Sequence, residues 1–316
     1  MRAAIIGLGR TGMAHYRAYR AYGAEVVAVC GRTPESVQEK VAQLDPPVCA
    51  MSIPDMLARA DIDIVSICTP PEFHAPQVLM TAAARKHMII EKPVALCVAE
   101  LDDMCRAVEF FGVKTGTSFV WRWIPGVQAL IRRRVDIGDA IHIRADFWNG
   151  RRRSPPPASG PVMGTMLRTG CHAVDMMTCV AGSRVSSVRA LGTKTLSILL
   201  ELQNGSTATV TSSDEASRPL GFGLSVSGEG GSLDLNFDGS LLYACEDAKQ
   251  YSKILPARTD PYTVDKLPFA TMIGEFLRSI KNGTDTTAGF AHAAHVHQIC
   301  FAAEESAKRG GEIVRL

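Results

Sequence analysis

The first 120 residues alternate between strand-like and helix-like segments, and this alternation constrains the fold more than any other feature of the chain. Short apolar runs predict buried strands, whereas apolar residues spaced three and four positions apart predict helices. The predicted strands are 3–7, 25–30, 62–68, 88–90 and 114–120. The predicted helices between them are 11–22, 34–44, 73–85 and 98–110. Strands that alternate with helices form a parallel sheet with helices on both faces, so we predict a doubly wound α/β domain.

After about residue 121 the pattern of predicted elements changes, because strand-like segments now follow one another. These segments are 141–147, 185–191, 197–203, 206–212, 223–228 and 232–237. Asn204-Gly205 between two alternating runs is a strong hairpin signal, which predicts a largely antiparallel sheet. Two helices, 269–281 and 289–309, are predicted to close the chain. A chain of 316 residues exceeds the size of a single core, and we therefore predict two domains, 1–120 and 121–316.

The composition narrows the class of protein. A formal net charge of +2 lacks the basic excess of a nucleic-acid-binding protein. No apolar run approaches the ~20 residues of a membrane span and the N-terminal residues lack a signal-peptide pattern, so we expect a cytoplasmic protein with no nucleic-acid or membrane partner. The nine cysteines include no CxxC pair and are expected to be reduced. His292, His295 and His297 lack a neighbouring Cys or Asp that would complete a ligand set, so packing or surface roles and no metal site are predicted.

The first predicted strand leads into Gly7-Leu8-Gly9-Arg10-Thr11-Gly12, a GxGxxG motif. The motif follows a strand and opens a helix, which is the context of a dinucleotide-binding fingerprint. Its glycines permit a tight turn and the close approach of a pyrophosphate to the helix N-terminus, where free N–H groups favour negative charge. These six residues are therefore predicted to bind a dinucleotide cofactor.

The position about 20 residues after the fingerprint distinguishes the two nicotinamide cofactors, because NAD(H) sites carry an Asp or Glu there to hold the ribose 2′-hydroxyl. The chain has Gly31-Arg32-Thr33 instead. With no carboxylate to repel a phosphate and a guanidinium to bind one, these residues favour NADP(H) over NAD(H). Alternatively, Thr33 only caps the next helix and Arg32 only stacks on adenine, which still favours NADP(H).

The short strand predicted at 88–90 ends in Glu91-Lys92-Pro93. In an open parallel sheet, ligands bind at the carboxyl ends of the strands, so this tripeptide lies where chemistry takes place. Proline disfavours the helical conformation of the residue before it, which predicts an extended Lys92 with its ammonium aimed in a fixed direction. The alternative is an ordinary loop, since Lys-Pro pairs are common there.

Several motifs occur together in one order and spacing. They are the fingerprint, Cys68-Thr69-Pro70-Pro71 with His74, Glu91-Lys92-Pro93, Phe119-Val120-Trp121-Arg122, and Gly170-Cys171-His172 with Asp175. With them the chain resembles the Gfo/Idh/MocA family, the glucose-fructose oxidoreductase and inositol dehydrogenase group, over nearly its whole length. The resemblance implies an N-terminal Rossmann domain and a C-terminal α/β domain with an open, mainly antiparallel sheet. The outer face of that sheet is commonly an oligomer interface in the family, so a homodimer or homotetramer is expected.

The same resemblance implies roles for particular residues. Besides the fingerprint and residues 31–33, it implies cofactor contacts for Cys68, Thr69, Pro70, His74, Glu91, Lys92 and Arg122. It implies substrate contacts for Lys92, Trp121, Arg168, Thr169 and His172. Lys92 and His172 are the catalytic pair that it implies. Each of the two residues has a chemical role in such a reaction. Hydride delivered to a carbonyl carbon leaves negative charge on the oxygen. An ammonium group stabilises this charge, and an imidazole supplies the proton.

One position departs from the family pattern, which places an aspartate four residues before the histidine. The chain has Arg168 there. A guanidinium binds carboxylate or phosphate in a bidentate manner, so we hypothesise that Arg168 binds an anionic or strongly hydrogen-bonding group of the substrate. The alternative is that Arg168 turns outward to pair with a surface carboxylate. The tyrosine-bearing segment of the family is also replaced around Phe222, which leaves the sugar specificity open.

The sequence therefore predicts a NADP(H)-dependent oxidoreductase for a small-molecule substrate with a carbonyl/alcohol pair. A keto-sugar, an aminosugar or a cyclitol is the expected substrate, and reduction is the expected direction. An imine or dihydrodiol substrate is an alternative within the same fold. A NADP(H)-binding regulator without turnover is an alternative of a different class, although such a regulator has no need for a proton donor like His172.

Overall fold

The computed structural model describes residues 1–42, 44, 48–149, 163–213, 215, 220–257 and 267–316. The chain forms two compact units. The first consists of Met1–Val120 and Val264–Ala294, and the second of Trp121–Thr263 and His295–Leu316. None of the helices in the described ranges has a stretch long and apolar enough to cross a membrane.

The first unit contains a six-stranded parallel sheet. Its strands are β1 (Arg2–Ile6), β2 (Glu25–Cys30), β3 (Cys49–Ala50), β4 (Ile64–Ile67), β5 (His87–Ile90) and β6 (Thr115–Thr117). The helices between these strands are α1 (Arg10–Ala21), α2 (Pro34–Val41), α3 (Ile53–Ala58), α4 (His74–Ala83) and α5 (Val98–Phe111). The strand order is β3-β2-β1-β4-β5-β6 with parallel pairing throughout the described strands. This is the order of a Rossmann sheet, so the predicted doubly wound fold is confirmed.

The strands of this sheet read as continuous apolar runs because both of its faces are covered. Every residue of β4 is buried, and so is every residue of β1 after Arg2. The strand predicted at 114–120 is shorter than expected, because β6 ends at Thr117 and a 3-10 turn occupies Val120–Trp123. The helix predicted at 34–44 ends at Val41.

The described residues of the second unit contain a nine-stranded sheet and several helices. The strands are β7 (Ala140–Trp148), β8 (Val185–Leu191), β9 (Thr195–Leu202), β10 (Thr207–Ser213), β11 (Gly221–Gly228), β12 (Gly231–Leu235), β13 (Leu241–Cys245), β14 (Ser252–Leu255) and β15 (Val314–Arg315). Two of these helices are α6 (Pro125–Arg133) and α7 (Cys171–Ala181). The strand order is β14-β13-β12-β11-β7-β10-β9-β8-β15.

The pairings of this sheet are mainly antiparallel, as predicted, with β10 and β7 running in parallel. The predicted hairpin joins β9 to β10, and Gly205 adopts a φ of +84° in its turn, a conformation that glycine reaches without strain. Residues of β9 alternate between buried and exposed, so one face of the sheet packs inward. Helix α7 packs on that sheet against β7, β10 and β11.

The chain closes with α8 (Leu267–Asn282) and α9 (Phe290–Lys308), close to the predicted bounds. The three histidines of α9 have packing contacts. His292 lies edge-on to Phe119, His297 is fully buried, and His295 accepts a hydrogen bond from the Val185 backbone N–H at 3.3 Å. All nine cysteines are free thiols.

Candidate active site

A cavity of about 670 Å³ lies at the carboxyl ends of β1, β2 and β4 in the first unit. The strand order reverses between β1 and β4, which is where open α/β sheets bind their ligands. The predicted cofactor residues that line this cavity are Gly7, Leu8, Gly9, Thr11, Gly31, Arg32, Cys68, Thr69 and Pro70. The predicted cofactor residues of this unit that do not line it are Arg10, Gly12, Thr33, His74, Glu91 and Lys92.

The three glycines of the fingerprint have different local environments. Gly7 has a φ of +94°, and a Cβ there would lie 2.7 Å from the carbonyl oxygen of Cys68. A Cβ on Gly12 would lie 2.0 Å from the carbonyl oxygen of Gly7, so this glycine allows α1 to approach the first turn. Gly9 has an ordinary φ of −81°, and a Cβ there would meet no protein atom within 4 Å. Neither backbone conformation nor protein packing therefore requires glycine at position 9.

Gly9 lines the cavity at the N-terminus of α1, where no side chain caps the helix and no acidic residue lies in the first turn. The free N–H groups and the helix dipole at this point favour an anion. An open position at Gly9, beside these donors, leaves room for a ligand to approach the backbone. The residues present thus fit the pyrophosphate of a dinucleotide.

Two cations line the same cavity, Arg32 after β2 and Lys40 on α2. The Lys40 ammonium also donates a hydrogen bond to the carbonyl oxygen of Leu8 at 2.9 Å, which ties α2 to the fingerprint loop. No carboxylate is among the described residues that line the cavity. Sequence reasoning missed Lys40, although its spacing of three residues from Val37, another lining residue, places both on one face of α2.

His74 links two loops of the first unit. It is fully buried, and its ring nitrogens lie 2.9 Å from the backbone carbonyl oxygens of Thr69 and Pro93. Burial lowers the pKa of His74, and the hydrogen bonds to these carbonyls oppose that effect. His74 therefore joins the segment after β4 to the Glu91-Lys92-Pro93 segment after β5, instead of lining the cavity.

Glu91 is 8% exposed, and Lys92 beside it is half-buried. Burial by itself raises the pKa of Glu91, but hydrogen bonds from His15 and Ser118 and electrostatic interactions with His15 and Lys92 hold that pKa below its usual value. Glu91 is thus a buried carboxylate next to the candidate catalytic lysine. Sequence reasoning did not identify His15 as its partner.

The second unit places His172 among aromatic side chains. His172 is the second residue of α7 and is 5% exposed. Its ring centroid lies 5.4 Å from that of Phe147 and 6.2 Å from that of Trp121. Trp121 in turn lies edge-on to Phe147 and Phe222, with centroid distances of 5.2 and 5.5 Å. The surroundings of the imidazole are therefore largely apolar.

Arg122 forms a buried ion pair with Asp175 of α7. Arg122 Nε donates to Asp175 Oδ2 at 3.1 Å and Nη2 donates to Oδ1, and both side chains are at most 3% exposed. This bidentate pair fixes the segment after residue 120 to the helix that carries His172. The cofactor contact of Arg122 stays a prediction.

A π-helical turn, Met166–Gly170, precedes α7 and carries Arg168 and Thr169. Such turns are rare and often occur at functional sites. Arg168 is half-buried, and its Nη1 donates to the carbonyl oxygen of Met163 at 3.1 Å. The Thr169 hydroxyl donates to the Thr165 carbonyl at 3.0 Å. Their substrate contacts stay predictions.

Glu304 of α9 contacts the π-helical turn Met166–Gly170. Its carboxylate accepts a hydrogen bond from the Leu167 backbone N–H at 3.4 Å. A Cβ on Gly164 would lie 1.9 Å from Glu304 Oε1, so the glycine lets the carboxylate reach the backbone. Burial raises the pKa of Glu304, and the hydrogen bonds from Leu167 and Met166 and the charge of Arg168 oppose this effect.

A Rossmann unit with a cavity at the carboxyl ends of its strands, and a second unit with a mixed sheet, are the two parts that the sequence motifs predicted for a nicotinamide-dependent oxidoreductase. Residues 1–118 match the family model described as "Oxidoreductase family, NAD-binding Rossmann fold", and residues 127–234 match the "GFO/IDH/MocA C-terminal domain". The chain belongs to the Gfo/Idh/MocA family, as the sequence motifs predicted. The protein is accordingly an oxidoreductase with an NAD-binding Rossmann domain.

Similar proteins include dehydrogenases of several substrates. A 4-carboxy-2-hydroxymuconate-6-semialdehyde dehydrogenase of Sphingobium sp. is 23% identical over 326 residues, covering 95% of this chain and 96% of the relative. A trans-1,2-dihydrobenzene-1,2-diol dehydrogenase of Xenopus tropicalis is 26% identical over 207 residues, 62% of each chain. Among solved structures, an Agrobacterium radiobacter oxidoreductase in complex with NAD+, L-tartaric acid and magnesium superposes with a TM-score of 0.88 at 22% identity, covering 100% of this chain and 98% of that one. This last likeness concerns the fold.

Proposed function

We propose that the protein is a NADP(H)-dependent oxidoreductase that reduces the carbonyl group of a keto-sugar, an aminosugar or a cyclitol. The observation that carries the cofactor preference is the pairing of Arg32 and Lys40 in a cavity where no described lining residue is a carboxylate. Two cations favour a ribose phosphate, and a carboxylate that would repel it is replaced by Gly31-Arg32-Thr33.

A bound nicotinamide supplies the hydride in this proposal. Lys92 donates a hydrogen bond from Nζ to the carbonyl oxygen and stabilises the negative charge that develops there. His172 delivers a proton from a ring nitrogen to the same oxygen. The aromatic rings of Trp121 and Phe147 exclude water around the imidazole, which strengthens its interaction with a polar group of the substrate.

A second candidate substrate is a dihydrodiol or another compound with an apolar ring. The observation that favours it is the group of Trp121, Phe147 and Phe222 around His172, because aromatic side chains pack well against a planar ring. The related dihydrobenzenediol dehydrogenase adds support for this candidate. The positive charge of Arg168, half-buried in the turn before α7, favours substrates of either kind that carry a carboxylate or phosphate.

The test of cofactor choice is a fluorescence or calorimetric titration with NADPH and with NADH on the wild type, Arg32→Ala and Lys40→Met. Loss of one charge-assisted contact to a phosphate costs about 1.5–3 kcal/mol, which is roughly a 10- to 150-fold weaker binding of NADPH. Binding of NADH is expected to change little in Arg32→Ala. Arg17→Ala, which removes an exposed positive charge on α1 outside the cavity, is the matched control.

A preference of the wild type for NADH would contradict the proposed cofactor. If NADPH binds as proposed, a panel of keto-sugars, cyclitols, dihydrodiols and imines then identifies the substrate class by NADPH oxidation or NADP+ reduction. Tight NADPH binding without hydride transfer to any member of that panel would contradict the enzymatic part of the proposal.

A further inference from the structure

A chain of hydrogen bonds runs through the interior of the first unit and ends at Glu91. His15 on α1 is fully buried, with Nε2 at 3.2 Å from Glu91 Oε1 and at 3.2 Å from Ser118 Oγ. On the other side of the ring, Nδ1 lies 2.9 Å from Ser66 Oγ. Ser66 Oγ is in turn 2.8 Å from the hydroxyl of Tyr19. Tyr19 and Ser66 are both 0% exposed, so the side chains behind the imidazole are closed off from solvent.

The acceptor at the end of this chain fixes the direction of its last hydrogen bond. An ionised carboxylate only accepts, so the His15 Nε2–H group donates to Glu91. Burial raises the pKa of Tyr19, so the Tyr19 hydroxyl keeps its proton beside Ser66. The Ser66 hydroxyl lies between Tyr19 and His15 Nδ1 and gives this ring nitrogen a polar partner. Phe269, whose ring lies edge-on to His15 at 5.5 Å, covers the imidazole.

We propose that His15 is a positioning residue that keeps Glu91 ionised and oriented at the carboxyl end of β5, beside Lys92. Its effect on cofactor binding and hydride transfer rests on the proposed function, whereas the charge state of Glu91 is independent of it. Ser118 is the second donor to the carboxylate, and Ser66, itself within hydrogen-bond distance of Tyr19, contacts the other ring nitrogen of His15.

Opposing influences on the pKa of Glu91 explain why the His15 imidazole determines whether this carboxyl group is ionised. Burial is the largest single influence on the pKa of Glu91 and raises it, and His15 contributes both the largest opposing hydrogen bond and the largest opposing electrostatic interaction. Without His15, burial dominates and the carboxyl takes up a proton closer to neutral pH. Lys92, His74 and Cys68 are further ionisable groups that interact with Glu91, and all three stay in place in the variants below.

A protonated Glu91 changes the local chemistry in two ways. A carboxylate only accepts hydrogen bonds, whereas a carboxylic acid also donates one, so a hydroxyl group of a ligand would lose an acceptor. Lys92 would also lose its neighbouring negative charge. Both changes weaken the ordered contacts that the Glu91-Lys92 pair can make with cofactor and substrate.

The first measurement is on the unaltered protein. Imidazole 15N spectra at neutral pH are expected to show a proton on Nε2 of His15, the nitrogen that contacts Glu91. A side-chain carboxyl 13C titration, assigned with Glu91→Gln, is expected to show Glu91 ionised across about pH 6 to 9. A His15 without a proton on Nε2, or a Glu91 that titrates within this range, would overturn the proposal without any substitution of His15.

Three replacements of His15 separate positioning from packing. His15→Gln keeps an N–H donor near the place of Nε2, His15→Asn keeps a polar group only near the place of Nδ1, and His15→Phe fills the space without either. The Glu91 titration is expected to move toward neutral pH in His15→Phe and His15→Asn and to return toward the wild-type position in His15→Gln. NADPH affinity is expected to fall about tenfold for each pH unit below the new titration point in the first two variants.

These measurements distinguish a failure of the role proposed for His15 from a failure of the proposed function. If the wild type does not bind NADPH, the proposed function fails, while the 13C and 15N measurements still decide the role of His15. If Glu91 titrates alike in the wild type and in a folded His15→Phe, the positioning role is refuted even when NADPH binding weakens.

Discussion

Alanine substitutions at Gly9 and at Gly12 are expected to separate ligand binding from folding. A Cβ on Gly12 would lie 2.0 Å from the Gly7 carbonyl oxygen, a backbone atom that can move only with the whole turn. Overpacking of this kind costs about 1–3 kcal/mol, and a backbone clash this close places Gly12→Ala at the upper end or above it. A Cβ on Gly9 meets no protein atom within 4 Å. Because Gly9 is the N-cap of α1, Gly9→Ala costs at most about 1 kcal/mol of helix capping, which the smaller entropy of the unfolded chain partly offsets.

The two variants are compared by denaturant unfolding and by titration with NADPH. Gly9→Ala is expected to unfold near the wild-type midpoint and to bind NADPH at least about tenfold more weakly, because the added methyl group occupies the approach to the free N–H groups of α1. Gly12→Ala is expected to lose stability first and binding only as a consequence. Wild-type affinity in a folded Gly9→Ala would refute the placement of the pyrophosphate at this loop, and an unchanged midpoint in Gly12→Ala would refute the packing argument.

Three further predictions concern the second unit and the proposed chemistry. Asp175→Asn leaves Arg122 as a buried, uncompensated charge and is expected to cost about 3–5 kcal/mol in denaturant unfolding, whereas an unchanged midpoint would contradict the burial of the pair. Because burial raises the pKa of Glu304 in the folded state, its ionisation is expected to remove stability as pH rises from the unfolded value of about 4.5 through the folded pKa, and Glu304→Gln is expected to flatten this part of the pH–stability curve. Lys92→Met and His172→Asn are each expected to lower kcat by about 10²–10⁴ once a substrate is identified, with His172→Asn leaving NADPH affinity unchanged. Equal turnover in the wild type and His172→Asn would remove that residue from proton transfer.

The sequence predicted those parts of the fold that depend on local patterns. Continuous apolar runs identified the inner strands of the first sheet, and Asn204-Gly205 identified the hairpin between β9 and β10. The two-residue strand β3 was missed, because so short a segment has no period. Strands β13 and β14 were also missed, because segments of five and four residues show little alternation and their places in the sheet depend on neighbours.

In the candidate site too, residues in local motifs were predicted, whereas contacts between residues far apart in sequence were not. The fingerprint motif predicted four of the residues that line the cavity, Gly7, Leu8, Gly9 and Thr11, because their function depends on a short stretch of backbone. Lys40 and His15 were missed because their partners lie far away in sequence. Lys40 meets the Leu8 carbonyl across 32 residues, and His15 meets Glu91 across 76. A sequence pattern shows which face of a helix a residue lies on, but only the packed sheet shows which loop that face meets.

The edges of both sheets have a consequence for self-association. The outermost strands of the described sheets are β3 with two residues, β6 with three, β14 with four and β15 with two. Short edge strands offer few unpaired backbone groups to another chain, and they protect a protein against continuous β-pairing between copies. Any pairing of this chain with itself is therefore expected to use side-chain surfaces, in which a charged substitution can abolish assembly without unfolding a sheet.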